Sequence, residues 1–252
     1  MRIVVVGGTG RIGSKVVDGL TEHGHEAVAA APSTGVNAVT GEGLAHALAG
    51  AQVVVDVTNS PSFEEAAAQE FFTRSTANLL AAEADAGVTH HLALSVVGTQ
   101  RLARESGYFK AKLAQERQIG AGPIPYTIVR ATQFFEFLGA IADSATTDGT
   151  VRLTDAQFQP MASADVAEAV AIAAVNEPVN GIVEVGGPEK FRLPELIRTA
   201  LAARGDTREV VADPAAGYWG VDIDEDTLVP GDGATLFDTR FSDWVLETAA
   251  RG

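Results

Sequence analysis

Arg2-Ile3-Val4-Val5-Val6-Gly7-Gly8-Thr9-Gly10-Arg11-Ile12-Gly13 stands almost at the start of a 252-residue chain and decides its fold. The apolar run Ile3 to Val6 shows no alternation, so it reads as a strand buried on both faces, the kind found in parallel sheets. Glycines follow at 7, 10 and 13, and a helical pattern runs from about Ile12 to His23, stopped by Gly24. A strand that passes through such a turn into a helix forms a phosphate cradle. Gly7 permits the tight turn, Gly10 lets the backbone approach a pyrophosphate, and Gly13 lets helix and strand pack closely. The helix N-terminus adds free amides and the positive end of its dipole. Gly7, Thr9, Gly10, Arg11, Ile12 and Gly13 are therefore the expected cofactor-binding turn.

Outward from this turn, strand and helix patterns alternate. Strands are expected at 26–31, 52–57, 91–97 and 126–129, with helices at 44–49, from Ser62 to Ala86, and at 108–119. Ser62-Phe63-Glu64-Glu65 fits a capping box, and Gly87 a helix stop. Beyond Arg130 the rhythm loosens to a strand at 151–153, a helix at 165–176, a strand at 182–185 and a helix at 193–204. Alternation with short connections predicts an α/β fold, a parallel sheet wound with helices on both faces. One domain over 1–252 is expected, its core about 1–150 and a substrate-side portion about 151–252.

Composition narrows the function. Hydrophobic residues make up 46% and charged residues 20%, an ordinary globular balance. Lys and Arg total 18 against 33 Asp and Glu, a net charge of −15, which argues against nucleic-acid or anionic-membrane partners. Residues 206–247 alone hold eleven acids and two bases, and such a run reads as a solvated surface. The absence of cysteine excludes disulfides, thiolate metal sites and cysteine nucleophiles. No secretory leader pattern opens the chain and no window nears the roughly 18 apolar residues of a membrane helix, so a cytoplasmic location is expected. Asp222-Ile-Asp-Glu-Asp226 lacks the glycine and glutamate a calcium loop needs, and the five histidines show no ligand spacing, so no metal is expected.

Tyr108 and Lys112 are spaced i, i+4 and share one helix face. Ser95 ends the preceding strand, at the carboxyl edge where ligands of wound sheets sit. A phenol of ordinary pKa near 10 is a poor acid–base at neutral pH. A neighbouring ammonium and a positive nicotinamide would lower it toward the working range. Tyr108 would then pass a proton to a substrate oxygen, with Ser95 hydrogen-bonded to that oxygen. For the cofactor, Ala29-Ala-Ala-Pro-Ser33-Thr34 ends the second strand without the acid that selects a ribose 2′-hydroxyl. Ser33, Thr34 and Arg11 suit a 2′-phosphate, so NADP is expected, with NAD the alternative. Gln133 and Phe134 follow the strand that would border the pocket and are candidate substrate contacts. Aromatics spaced as Phe134, Phe135 and Phe137 read equally as core.

Taken together, Gly7 to Gly13, Asp56-Val-Thr-Asn59, Leu94-Ser95, Tyr108-Phe-Lys-Ala-Lys112, Tyr126-Thr-Ile-Val-Arg130, Ala164-Asp165-Val-Ala167 and Val185-Gly-Gly-Pro188 resemble the short-chain dehydrogenase/reductase superfamily in its atypical NmrA-like branch. The likeness covers the chain to about residue 205. It implies a Rossmann-type core with a small C-terminal portion covering the active site, and Ser95, Tyr108 and Lys112 as catalytic residues, Lys112 also binding the nicotinamide ribose. Thr58 and Asn59 fall where the family lines the cofactor, and the resemblance leaves open whether Asn59 stands in for the catalytic asparagine of related enzymes. Many NmrA-like members lack the tyrosine and sense NADP without turnover; this chain keeps it. The implied activity is hydride transfer between NAD(P) and a small carbonyl, alcohol or quinone-like substrate. A cofactor-sensing regulator and an epimerase or dehydratase are the alternatives, and a homodimer is the assembly common in the wider superfamily.

Overall fold

The structure, a computed structural model, describes residues 1–249. In chain order the elements are β1 (Arg2–Val6), α1 (Arg11–Glu22), β2 (Glu26–Ala30), α2 (Leu44–Ala47), β3 (Val53–Asp56), α3 (Glu65–Ala86), β4 (His90–Val96), α4 (Thr99–Leu102), α5 (Gly107–Gly120) and β5 (Tyr126–Ala131). There follow α6 (Leu138–Ser144), β6 (Thr146–Thr147), β7 (Thr150–Leu153), β8 (Gln157–Phe158), α7 (Ser163–Val175), β9 (Gly181–Gly186), β10 (Phe191–Arg192), α8 (Leu193–Ala203), β11 (Glu209–Ala212), β12 (Thr235–Leu236) and α9 (Phe241–Ala249).

Seven strands form one parallel sheet in the order β12-β9-β5-β4-β3-β1-β2. The expected wound α/β fold is therefore present. β1 pairs β2 on one side, Val6 opposite Ala30, and β3 on the other, Val6 opposite Asp56. The chain reverses its direction of travel across the sheet at β1, and crevices for ligands open at such reversals, beyond the carboxyl ends of the strands. Ile3, Val4 and Val5 are fully buried, as a centrally placed strand requires.

Helices supply the second layer. α1 turns Ile12, Gly13, Val16 and Leu20 inward, a stripe at helical spacing. Val4, Val6 and Val54 of the sheet share a core cluster with Leu44, Leu48 and Leu79. α3 and α5 pack along each other, with Ala68, Phe72 and Ala111 buried between them. The expected capping box at Ser62 does not form. α3 starts at Glu65, its N-cap Glu64 makes no side-chain cap bond, and the Ser62 hydroxyl accepts from the Glu64 amide two residues on. The end is as expected, Gly87 taking φ 73° in the left-handed region.

The chain divides into two compact units. The first comprises Met1–Arg130 and Val166–Val183; the second comprises Ala131–Asp165 and the residues from Glu184 on. In the second, β7 pairs β11 in parallel and β6 antiparallel, and β8 pairs β10. No helix among the described residues is long and apolar enough to cross a membrane.

Candidate active site

The glycine turn is built as its sequence demands. Gly7 has φ 83°, and a Cβ there would stand 3.0 Å from the Val57 carbonyl carbon. A Cβ on Gly13 would meet the Gly7 oxygen at 2.2 Å, so only glycine lets α1 approach this turn. Gly8, which sequence reasoning passed over, is as constrained: its Cβ would lie 2.6 Å from the Val5 oxygen. Gly10 caps α1 without a side chain, and no acid occupies the helix's first turn. The amides that open α1 are thus left to an anion, at the positive end of the dipole. A dinucleotide pyrophosphate fits this cradle.

At the end of β2, Ser33 and Thr34 lie in a 3-10 turn, Pro32–Thr34. Thr34 is committed to that turn, its hydroxyl accepting from the Ala31 amide at 2.9 Å and donating to the Ala29 and Ala31 carbonyls. Ser33 is exposed and its hydroxyl reaches Thr9 Oγ1 at 3.5 Å, which joins the two loops a 2′-phosphate would approach. Arg11 is exposed at the start of α1.

Ser95, Tyr108 and Lys112 all belong to the first unit, and each hydrogen-bonds elsewhere. Tyr108, on the first turn of α5, donates its hydroxyl to Asn59 Oδ1 at 2.7 Å. Phe63, Phe72 and Phe109 surround its ring, with centroids 5.1, 5.9 and 5.2 Å away. Burial pushes the phenol up to about 12, and the hydrogen bond with Asn59 offsets only part of that. The shift in the chain by itself is therefore opposite to the expected lowering, because desolvation outweighs the Asn59 hydrogen bond.

Lys112 is buried, its ammonium donating to the Leu94 carbonyl at 2.9 Å and to Gln115 Oε1 at 2.6 Å. It also stands 4.8 Å from the centroid of Phe72. Burial lowers it to about 8, against the pull of Asp56 and Glu116. Gln115 carries the chain onward by donating to Asp56 Oδ2 at 3.0 Å, while Asp56 Oδ1 accepts from the Thr58 amide and hydroxyl at 2.9 and 2.6 Å. Thr58 is thereby fixed at the exit of β3, beside the glycine turn.

Ser95, near the end of β4, is buried and donates to Glu116 Oε1 at 2.5 Å. Glu116 in turn forms a buried bidentate pair with Arg130, at 3.0 and 2.5 Å. Sequence reasoning missed Gln115 and Glu116, although both follow Lys112 on the same helix; acids and amides are common there, and only the fold shows what they meet.

Gln133 and Phe134 belong to the second unit. Gln133 Oε1 accepts from the buried Tyr218 hydroxyl at 2.9 Å, and Phe134 stacks on Phe137 at 5.4 Å. Of the aromatics left open between pocket and core, Phe135 is fully buried. His90 and His91 are buried at the start of β4, His90 against Thr127 and His91 against Glu83. No group of three or more His, Asp or Glu among the described residues is arranged to hold a metal ion.

The same fold recurs in solved structures. The Bordetella bronchiseptica enzyme WbmG, in complex with NAD and UDP, superposes with a TM-score of 0.73 at 17% identity, over 99% of this chain and 94% of that one. Thermus thermophilus UDP-glucose 4-epimerase, in complex with NAD, gives 0.67 at 19%, over 99% and 93%. Bacillus anthracis dTDP-4-dehydrorhamnose reductase, in complex with NADP, gives 0.70 at 11%, over 95% and 90%. No curated protein sequence matches the chain. A family model described as NAD(P)H-binding matches residues 7–178, from the first glycine of the turn to beyond α7, and the chain belongs to that NAD(P)H-binding family.

Proposed function

We propose that this protein is an NAD(P)-dependent oxidoreductase of the short-chain dehydrogenase/reductase superfamily, NmrA-like branch, acting on a small carbonyl, alcohol or quinone-like substrate. The nicotinamide, when bound, supplies or accepts the hydride. Tyr108 is the general acid–base and passes its proton to the substrate oxygen. Asn59, already 2.7 Å from that hydroxyl, holds the phenol. If its amide turns over, Nδ2 donates to the phenolate once the proton has left. Lys112 is the electrostatic partner and ribose contact. Ser95 is the donor to the carbonyl oxygen, a role that requires its proton to swing away from Glu116.

The observation that carries the reading is the Tyr108–Asn59 hydrogen bond. It is made between α5 and the loop leaving β3, the loop whose Val57 carbonyl abuts Gly7 of the cradle. Ser33 and Arg11 favour NADP over NAD. A cytoplasmic homodimer of single-domain chains, with Gln133 and Phe134 as substrate contacts, completes the proposal.

The test is a screen of ketones and aldehydes with NADPH deuterated at C4, and of quinones by NADPH oxidation, in wild type and Tyr108→Phe. Deuterium on the alcohol carbon, or NADPH oxidised by a quinone, lost in the variant, is the expected result. A second reading, a cofactor-sensing regulator, draws support from Ser95 and Lys112 both being tied to internal partners. Tight NADPH binding with no transfer to any acceptor would decide for it.

A further inference from the structure

We propose that the second unit carries a binding site for a neutral, planar aromatic carbonyl compound, stacked on Trp219 and hydrogen-bonded by Arg152. The site is a cavity of about 290 Å³ whose lining includes Ile141, Thr147, Arg152, Leu153, Asp213 and Trp219. This is the lower end of the volumes that take small ligands, with room for one or two fused rings.

The turn that presents Trp219 is built against local preference. Tyr218 and Val221 exchange both backbone hydrogen bonds, Tyr218 N to Val221 O at 2.8 Å and Val221 N to Tyr218 O at 3.1 Å. Trp219 and Gly220 occupy the centre of this tight hairpin turn with φ 52° and 76°. Two positive φ values in such a turn favour Asn-Gly or Gly-Gly, and a bulky residue at the first position is an outlier. Strain of this kind persists where surrounding structure enforces it, and it clusters at ligand sites. The enforcing contact is Tyr218, fully buried, whose hydroxyl donates to Gln133 and whose ring meets the Trp219 indole edge to face, with centroids 6.3 Å apart. The indole is thus backed by a fixed, buried ring while half its surface stays exposed at the cavity. A rigid aromatic face, fixed before the ligand arrives, is what stacking requires.

Arg152 supplies the polar contact. Its side chain is half exposed, and its ion pair with Asp213 is long, at 3.5 Å, so most of its five donors remain for a ligand oxygen. Asp213 is itself fixed, accepting from the Ala215 amide at 2.9 Å. A carboxylate that close repels a second anion, as does the net charge of −15, so the oxygen that fits is that of a ring ketone or lactam rather than a ring acid. The inference does not rest on the redox reading, since it concerns binding to the second unit alone.

Equilibrium dialysis of the full chain, without NADPH, against 1,4-naphthoquinone tests it. Saturable binding at one per chain is expected, at least tenfold weaker in Arg152→Ala and in Trp219→Asn. Asparagine tolerates positive φ, so the second variant keeps the turn, and its Tm should equal or exceed that of wild type. Cyclohexane-1,4-dione, with the same two carbonyls and no aromatic ring, should not bind, and 2-naphthoate should bind more weakly than the quinone. Equal binding by Trp219→Asn, or a dione that binds as well as the quinone, overturns the site. Naphthoate binding more tightly overturns the assignment of a neutral carbonyl. A failed carbonyl screen with NADPH leaves these results standing.

Discussion

Tyr108 meets two opposed demands. Its ring is half-buried among phenylalanines, and desolvation pushes the phenol up to about 12, whereas the proposed acid–base work at neutral pH needs a lower value. Positive charge arriving with a bound nicotinamide would favour the phenolate and narrow that gap. Tyr108→Phe should lower turnover by about 10² to 10⁴-fold while leaving the Kd for NADPH unchanged, as isothermal titration of the two proteins would show. Lys112 gives a pH signature of known sign. Its folded value of about 8 lies below the ordinary 10.5, so between these the unfolded chain holds a proton that the folded chain has released. Stability contributed at this site therefore rises as pH climbs from 8 to 10.5, from a cost of about 3 kcal/mol at neutral pH. Urea titrations of wild type against Lys112→Met should show the difference between them shrinking across that window.

At the scale of elements, the β1–turn–α1 unit was legible because the determinants of its strand and turn lie within the twelve consecutive residues Arg2 to Gly13. Gly13→Ala tests it: the added carbon would sit 2.2 Å from a backbone oxygen that cannot move aside, so NADPH binding should fall at least tenfold by the same titration. The placing of Tyr108 and Lys112 on α5 was legible for the same reason, as helical spacing is local. Their partners were not. Asn59 lies 49 residues from Tyr108, Asp56 lies 59 from Gln115, and Glu116 lies 21 from Ser95, distances that only the sheet order closes. The capping box at Ser62 failed because the chain bends through Glu64 before the helix begins, which residue pattern alone does not fix. β4 adds a test at its buried start. His90 is lowered to about 4, by burial first and by His91 second. Between 6.5 and 4 the unfolded chain takes up a proton that the folded chain refuses, so stability falls as pH falls through this window. His90→Gln should flatten that limb of a Tm-versus-pH curve.

For the whole molecule, charge decides how a nucleotide arrives. A chain of net charge −15 repels an anionic dinucleotide over about 10 Å at 0.1 M salt. The cradle at α1 acts only at contact, where its amides and dipole take over. Stopped-flow association of NADPH should therefore quicken as salt rises from 10 to 150 mM, by about two- to threefold, the reverse of a basic nucleotide-binding protein. A rate that falls with salt would mean that local positive charge at Arg11 dominates the approach. The sign of the net charge was plain in the composition; how the acids are arranged around the cradle is a property of the folded surface.

The run from Lys112 through Gln115 and Asp56 to the Thr58 amide has one further consequence. It makes a backbone N–H beside the glycine turn an internal voltmeter for a buried side chain. As the ammonium loses its proton near pH 8, the carboxylate's hold on that amide relaxes. The nitrogen and proton resonances of Thr58 should then drift with the same midpoint, so the charge state of Lys112 can be followed by NMR at a site that never itself titrates.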